Sequence, residues 1–251
     1  MGIDRANSYH EAAEYYDLFA SNYDLDFYRS MADSVEGSIL ELACGTGRVT
    51  LELAKRGHEI VGLDATEAML SIARSKAQAL GADILARVTF ISGNISDFKL
   101  NRTFDLIIIP SSFKFNLTTE EQLSCLRSIK DHLSPEGLFI LDHFPGGVQA
   151  EYDERREGPI HHQGRSIERH IIVRSNFIDQ LQRFTITYAI THADGTTSEF
   201  TTTNTQALIF EREIELLLRL SGFTINDEYG DWDFTPPSDS SGRRIFILES
   251  K

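Results

Sequence analysis

Apolar residues recur in two rhythms along this chain. In the first half, short and nearly unbroken apolar runs stand at residues 39–43, 60–63, 87–91, 104–109 and 137–142. Strands covered on both faces read this way, without polar alternation. Between the runs, apolar positions fall three and four apart, the period of a helix with one buried face. One such helix follows a glycine turn and closes at Gly57. A second is capped by Thr66, carries Met69, Leu70, Ile72, Ala73, Ala77 and Leu80, and ends at Gly81. A third opens on a capping box at Thr119-Glu-Glu-Gln122, turns Leu123, Leu126, Ile129 and Leu133 inward, and is stopped by Pro135. Strand–helix alternation with short connections specifies an α/β fold: a Rossmann-like, doubly wound sheet.

The ends differ. Residues 8–20 predict a helix with Ser8 as N-cap and Glu11 three positions on. Tyr15, Tyr16, Phe19, Tyr23, Phe27 and Tyr28 make this stretch aromatic, and residues 1–37 are expected to form a helical lid. After the fifth run the helical period is lost. Residues 166–175, 180–192 and 196–205 are β-rich, and Asp194-Gly195 sits where a hairpin would turn. An antiparallel β insertion within residues 151–205, after strand five, is the expectation. It would cover an acceptor or form a dimer interface. A helix over 210–220 and strands over 223–229 and 244–249 complete a seven-stranded mixed sheet in a single domain of residues 1–251.

Composition narrows the partners. The 251 residues carry a formal net charge of −14, which opposes a nucleic-acid backbone. Two cysteines, Cys44 and Cys125, make neither a disulfide framework nor a metal cluster, and no spacing demands a metal. No stretch is long and apolar enough for a membrane. The expectation is a cytoplasmic monomer or homodimer acting on a small molecule.

The chemistry concentrates at residues 38–64. Gly45 and Gly47 form a turn after the first strand, and Asp64 ends the second, where a carboxylate can grip a ribose. A dinucleotide fingerprint would place a third glycine at position 50, and Thr50 stands there. Glu41 lies four residues before Gly45, and a carboxylate beside a pyrophosphate is repulsive. The acids Glu41, Asp64 and Asp97 suit a cationic, phosphate-free adenosine compound, which describes S-adenosylmethionine.

These segments resemble the class I S-adenosylmethionine-dependent methyltransferases, in particular the small-molecule branch that includes sugar-amine N,N-dimethyltransferases. Glu41-Leu-Ala-Cys-Gly45-Thr-Gly47-Arg looks like the family's first motif and Gly62-Leu-Asp64-Ala-Thr-Glu-Ala-Met69-Leu its second. Gly93-Asn94-Ile95-Ser-Asp97-Phe resembles the adenine-lining segment, and Pro110-Ser-Ser the loop after strand four. The resemblance implies that Asp64 takes the ribose hydroxyls, and that Ala43, Gly45, Gly47 and Glu41 meet the methionine part. Asn94, Ile95, Ala65 and Met69 would surround the adenine. Tyr16 and Tyr23 would close over the methyl-donor end, with Pro110 and Ser111 beside the reacting methyl.

Methyl transfer to an amine or a hydroxyl asks mainly for positioning and exclusion of water. If a general base is used, His143 is the candidate, since it follows strand five at the ligand edge. Tyr16 and Ser111 are the other catalytic candidates. His161 and His162 read as exposed loop residues. Two other classes remain in view: a non-catalytic cofactor-binding module, and an NAD-dependent oxidoreductase sharing the strand–helix–strand unit.

Overall fold

The computed structural model describes residues 9–144 and 152–250. Seven strands form one mixed sheet: β1 (Ile39–Leu42), β2 (Ile60–Asp64), β3 (Val88–Ser92), β4 (Phe104–Ile109), β5 (Leu133–His143), β10 (Phe223–Tyr229) and β11 (Arg244–Ser250). Their order is β10-β11-β5-β4-β1-β2-β3. The pairs β4/β5, β4/β1, β1/β2 and β2/β3 are parallel, while β11 runs antiparallel to both of its neighbours. The strand order reverses between β1 and β4, and a crevice opens at their carboxyl ends, where ligands of such sheets bind.

Burial explains the unbroken apolar runs. Leu40 and Leu42 of β1 pack with Ile107 and Ile109 of β4 on one face, and Ile39, Leu106 and Ile108 pack on the other; all are fully buried. Helices α3 (Arg48–Lys55), α4 (Glu67–Leu80), α6 (Thr119–His132) and α7 (Glu211–Leu220) supply the covering layers.

A second, four-stranded antiparallel sheet follows β5: β6 (Tyr152–His162), β7 (Arg165–Asn176), β8 (Leu181–Thr191) and β9 (Thr197–Ala207), in that order. Ile167, Tyr188 and Ile190 on its inner face pack against Ala12 and Tyr15.

Local details depart from the sequence reading. The single helix expected over 8–20 is a four-residue helix, α1 (Ala13–Tyr16), followed by a 3-10 turn at Asp17–Phe19; Ser8, its expected cap, lies outside the described residues. A second helix, α2 (Leu25–Asp33), completes the entry segment. Thr66 does precede α4, but its side chain makes no capping bond; Asp64 accepts the Thr66 N–H instead (2.8 Å). The capping box of α6 sits one residue earlier, on Thr118 and Glu121. Pro135 lies inside β5, which begins at Leu133, so the proline does not follow the helix directly. The insertion has four strands where the sequence showed three. β6 (sequence Tyr-Asp-Glu-Arg-Arg-Glu) has no apolar alternation because it is an exposed edge, and it carries His161 and His162, expected in a loop.

Candidate active site

A cavity opens at the carboxyl ends of β1, β2 and β4. Its lining comprises Ala43, Gly45, Asp64, Ala65, Thr66, Met69, Asn94, Ile95 and Ser112 from the large sheet, roofed by Tyr9, Tyr16, Phe115, Thr203, Asn204 and Thr205. The empty space, including the solvent at its open mouth, is about 880 Å³.

The turn after β1 is built for close approach. Gly45 has φ +55°, and a Cβ there would meet nothing within 4 Å, so the space beside it is open. Gly47 has φ +77° and begins α3; a Cβ there would stand 3.1 Å from Ala73 Cβ, so this glycine serves helix packing. Two non-glycine residues also adopt positive φ at this edge, Ala43 (+56°) after β1 and Ser111 (+47°) after β4. Such strain persists only where surroundings enforce it. At Ser111 the enforcing group is Asp142, whose carboxylate accepts its hydroxyl (3.0 Å).

Asp64 ties two loops together. Its carboxylate accepts the Gly45 N–H (2.9 Å) and the Thr66 N–H (2.8 Å). Burial raises its pKa against the pull of these bonds. Glu41 is 3% exposed and accepts the Thr50 hydroxyl. Burial pushes its carboxyl up to about 7, offset only in part by Thr50 and Arg48. Thr50 thus fills the position of a third fingerprint glycine and holds the acid that precedes the turn. Among the described residues, Asp64 is the one charged side chain on the lining, which includes no Lys or Arg.

The entry segment is fastened to the glycine turn by ion pairs that the sequence reading did not single out. Asp17 accepts the Thr46 hydroxyl (2.6 Å) and pairs with Lys76, while Asp24 takes Arg48 through two bonds (2.5 and 2.6 Å). These hold Tyr16 over the cavity, where Tyr9 crosses it edge-on at 6.0 Å and meets Phe115 at 6.3 Å. The acidic residues after Tyr16 and the Arg after Gly47 were the available signal.

Of the expected cofactor residues, Tyr16, Ala43, Gly45, Asp64, Ala65, Met69, Asn94 and Ile95 share the lining; Gly47 and Glu41 are off it, Gly47 against Ala73 and Glu41 bonded to Thr50. Tyr23 departs from expectation: its side chain is 83% exposed and outside the lining. Asp97 is also exposed. Pro110 and Ser111 stand behind Ser112, whose hydroxyl donates to the Pro110 carbonyl (2.8 Å).

His143, the expected base, is 4% exposed and off the lining. Its ring bonds the Ile209 carbonyl, and its Nε2 has no partner. Burial, with Arg244 and Lys114 nearby, lowers its pKa to about 4. Alternation along β5 puts its neighbour Asp142 on the opposite face. There Asp142 gathers Tyr28 (3.3 Å), Trp232 (3.1 Å) and Arg243 (2.7 Å) besides Ser111.

Comparison with known proteins agrees with this geometry. Residues 39–137 match a family model described as a methyltransferase domain. The fold is shared with solved structures: DesVI from Streptomyces venezuelae superposes with a TM-score of 0.75 at 22% identity, covering all of both chains. Among curated relatives, the dTDP-3-amino-3,4,6-trideoxy-alpha-D-glucopyranose N,N-dimethyltransferase of Streptomyces venezuelae is 29% identical over 52% of this chain and 56% of its own. The cypemycin N-terminal methyltransferase of a Streptomyces species is 26% identical over 84% of this chain and 82% of its own. The chain spans about half to two thirds of the length of the first curated relatives it matches.

Proposed function

We propose that the chain transfers a methyl group from S-adenosylmethionine to the amine of a small molecule. The observation that carries this reading is the charge of the crevice. Burial raises the carboxyl pKa of both Glu41 and Asp64, and among the described residues the lining offers no cation. A pyrophosphate would have nothing to neutralise it there, whereas a sulfonium or ammonium relieves the buried acids. The same argument disfavours a dinucleotide. The two relatives described above are both named for methylating amines.

The residues fit such a cofactor. Asp64 would meet the ribose, Ala65, Met69, Asn94 and Ile95 the adenine, and the bare edge of Gly45 the methionine part. The sulfonium, when bound, supplies a methyl carbon already activated for displacement. The protein's own work is orientation and dryness. Tyr9, Tyr16 and Phe115 would shield the bound cofactor from water, and Ser112 is fixed by the Pro110 carbonyl.

Nitrogen is favoured over oxygen for a chemical reason. A hydroxyl acceptor needs a base for its proton, while a free amine offers its lone pair directly. Asp64 is committed to two backbone N–H groups, and burial raises both tyrosine phenols. His143 is turned elsewhere. Turnover should therefore follow ionisation of the acceptor amine and survive His143→Asn. Both cysteines are free and buried, which suits the reducing cytoplasm as the site of action.

Calorimetry with S-adenosylmethionine, S-adenosylhomocysteine and NAD tests the reading, followed by methyl-transfer assays against amine and phenol panels. Binding of the first two and transfer to amines are expected. Preference for NAD, or turnover of phenols alone, would refute it.

A further inference from the structure

Strand β9 is the last in its sheet, so among the described residues one of its edges has no strand beside it, although the turn at Phe113–Phe115 lies close to the strand. At the hairpin turn, His192 N–H donates to the Thr196 carbonyl (2.8 Å), and at the far end Leu208 N–H donates to the Gln180 carbonyl (2.7 Å). Both bonds continue the register that pairs Phe184 with Asn204 and Thr185 with Thr203. Antiparallel ladders alternate bonded and non-bonded pairs. Even-numbered residues of β9 therefore spend their main-chain groups on β8, and odd-numbered ones turn theirs outward.

Thr203, Asn204 and Thr205 all line the cavity. Side chains alternate between the faces of a strand, so Asn204 turns inward with Phe200 while Thr203 and Thr205 turn outward with Thr201, and these two meet the cavity through main chain. The outward N–H and C=O groups of Thr203 and Thr205 thus border the cavity, two sets spaced about 7 Å apart. Thr197, Glu199 and Thr201 continue the open edge outward and are exposed. This edge offers neutral donors and acceptors at the repeat of an extended main chain. A carboxylate or phosphate on the acceptor would find no cation among the described residues of the lining.

We infer that the edge of β9 is a docking rail, and that the acceptor is the N-terminal amine of a peptide whose first residues lie extended along it. The inference rests on the methyl-transfer reading above and names its substrate class. In the transfer, the amine lone pair forms the new N–C bond while the C–S bond of the donor breaks with its electrons left on sulfur. The ammonium product then releases a proton to water.

The test uses the full chain, S-adenosylmethionine and a neutral pentapeptide amide with a free N-terminus, read by mass spectrometry. Methylation at the N-terminus is expected. Single backbone N-methyl groups moved along the peptide should raise KM about three- to tenfold at alternate positions only, the loss of one hydrogen bond each time. Thr201→Pro, off the cavity lining, removes an outward N–H without touching the ladder to β8. It should raise peptide KM by a similar factor while calorimetry still shows cofactor binding. If that variant does not fold, the N-methyl series on the unaltered chain decides. A flat series, or turnover of a neutral amino sugar but of no peptide, would overturn the rail. Failure of S-adenosylmethionine to bind the unaltered chain would instead strike down the methyl-transfer reading, and the rail with it.

Discussion

The two sheets bury themselves in different ways. The seven-stranded sheet is covered on both faces, and Ile107, Ile108 and Ile109 in a row have no exposure at all. The four-stranded sheet hides one face only. Tyr188 stacks on Phe200 at 4.8 Å against Tyr15, while Thr187 and Thr201 hydrogen-bond to each other on the outer face (2.9 Å). The first sheet is a scaffold whose apolar content is dictated by burial. The second is a half-solvated wall whose outer face and edge are free to vary, and it contributes three residues to the cavity. Shared scaffolds diversify through such additions.

This contrast can be broken by mutation. Ile108→Ala should cost about 2–5 kcal/mol of stability through loss of buried contacts and the cavity left behind, measured by chemical denaturation. A cost no greater than that of an outer-face threonine would remove the distinction between the sheets. Next in size, Asp64→Asn should weaken S-adenosylmethionine binding by about 1–3 kcal/mol, because charge-assisted bonds are lost; calorimetry reads this directly. Arg169→Ala acts where the second sheet meets the entry segment. Its guanidinium lies 4.2 Å from the Phe19 ring centre and pairs with Glu157. The loss should be about 1 kcal/mol, seen as faster hydrogen exchange near residues 13–19 and not in β4.

A pH series sharpens the picture within the larger sheet. Glu41 titrates at about 7 in the folded chain against an ordinary 4.5, so the folded state holds an extra proton between these values. Its contribution to stability falls as pH rises through that window. His143, at about 4 against 6.5, works the other way: its contribution is present above 6.5 and is lost as pH falls toward 4. Glu41→Gln should abolish the decline approaching pH 7 and leave the acid-side loss intact, as denaturation midpoints across pH will show. Smallest of all, Thr187→Val on the outer face should shift stability by no more than about 0.5 kcal/mol.

The residues themselves determined the strand–helix alternation, the glycine turn and the placing of Glu41 and Asp64 on two neighbouring strands. Each follows from local period, turn chemistry or charge, which act within a few residues. β6 escaped because an exposed edge strand needs no apolar pattern, and Tyr23 was misplaced because aromatic content does not say which way a ring turns. His143 looked like a base from its position at a strand end. Only the packing of β5 against its neighbours sent its ring to Ile209 and gave Asp142 the hub with Ser111. Tyr9 and Thr203–Thr205 carry no motif, since they reach the cavity through chain folded back from more than a hundred residues away in the case of β9. Long-range register decided that edge, because the alternation of main-chain direction depends on which strand lies alongside and not on which residues compose it.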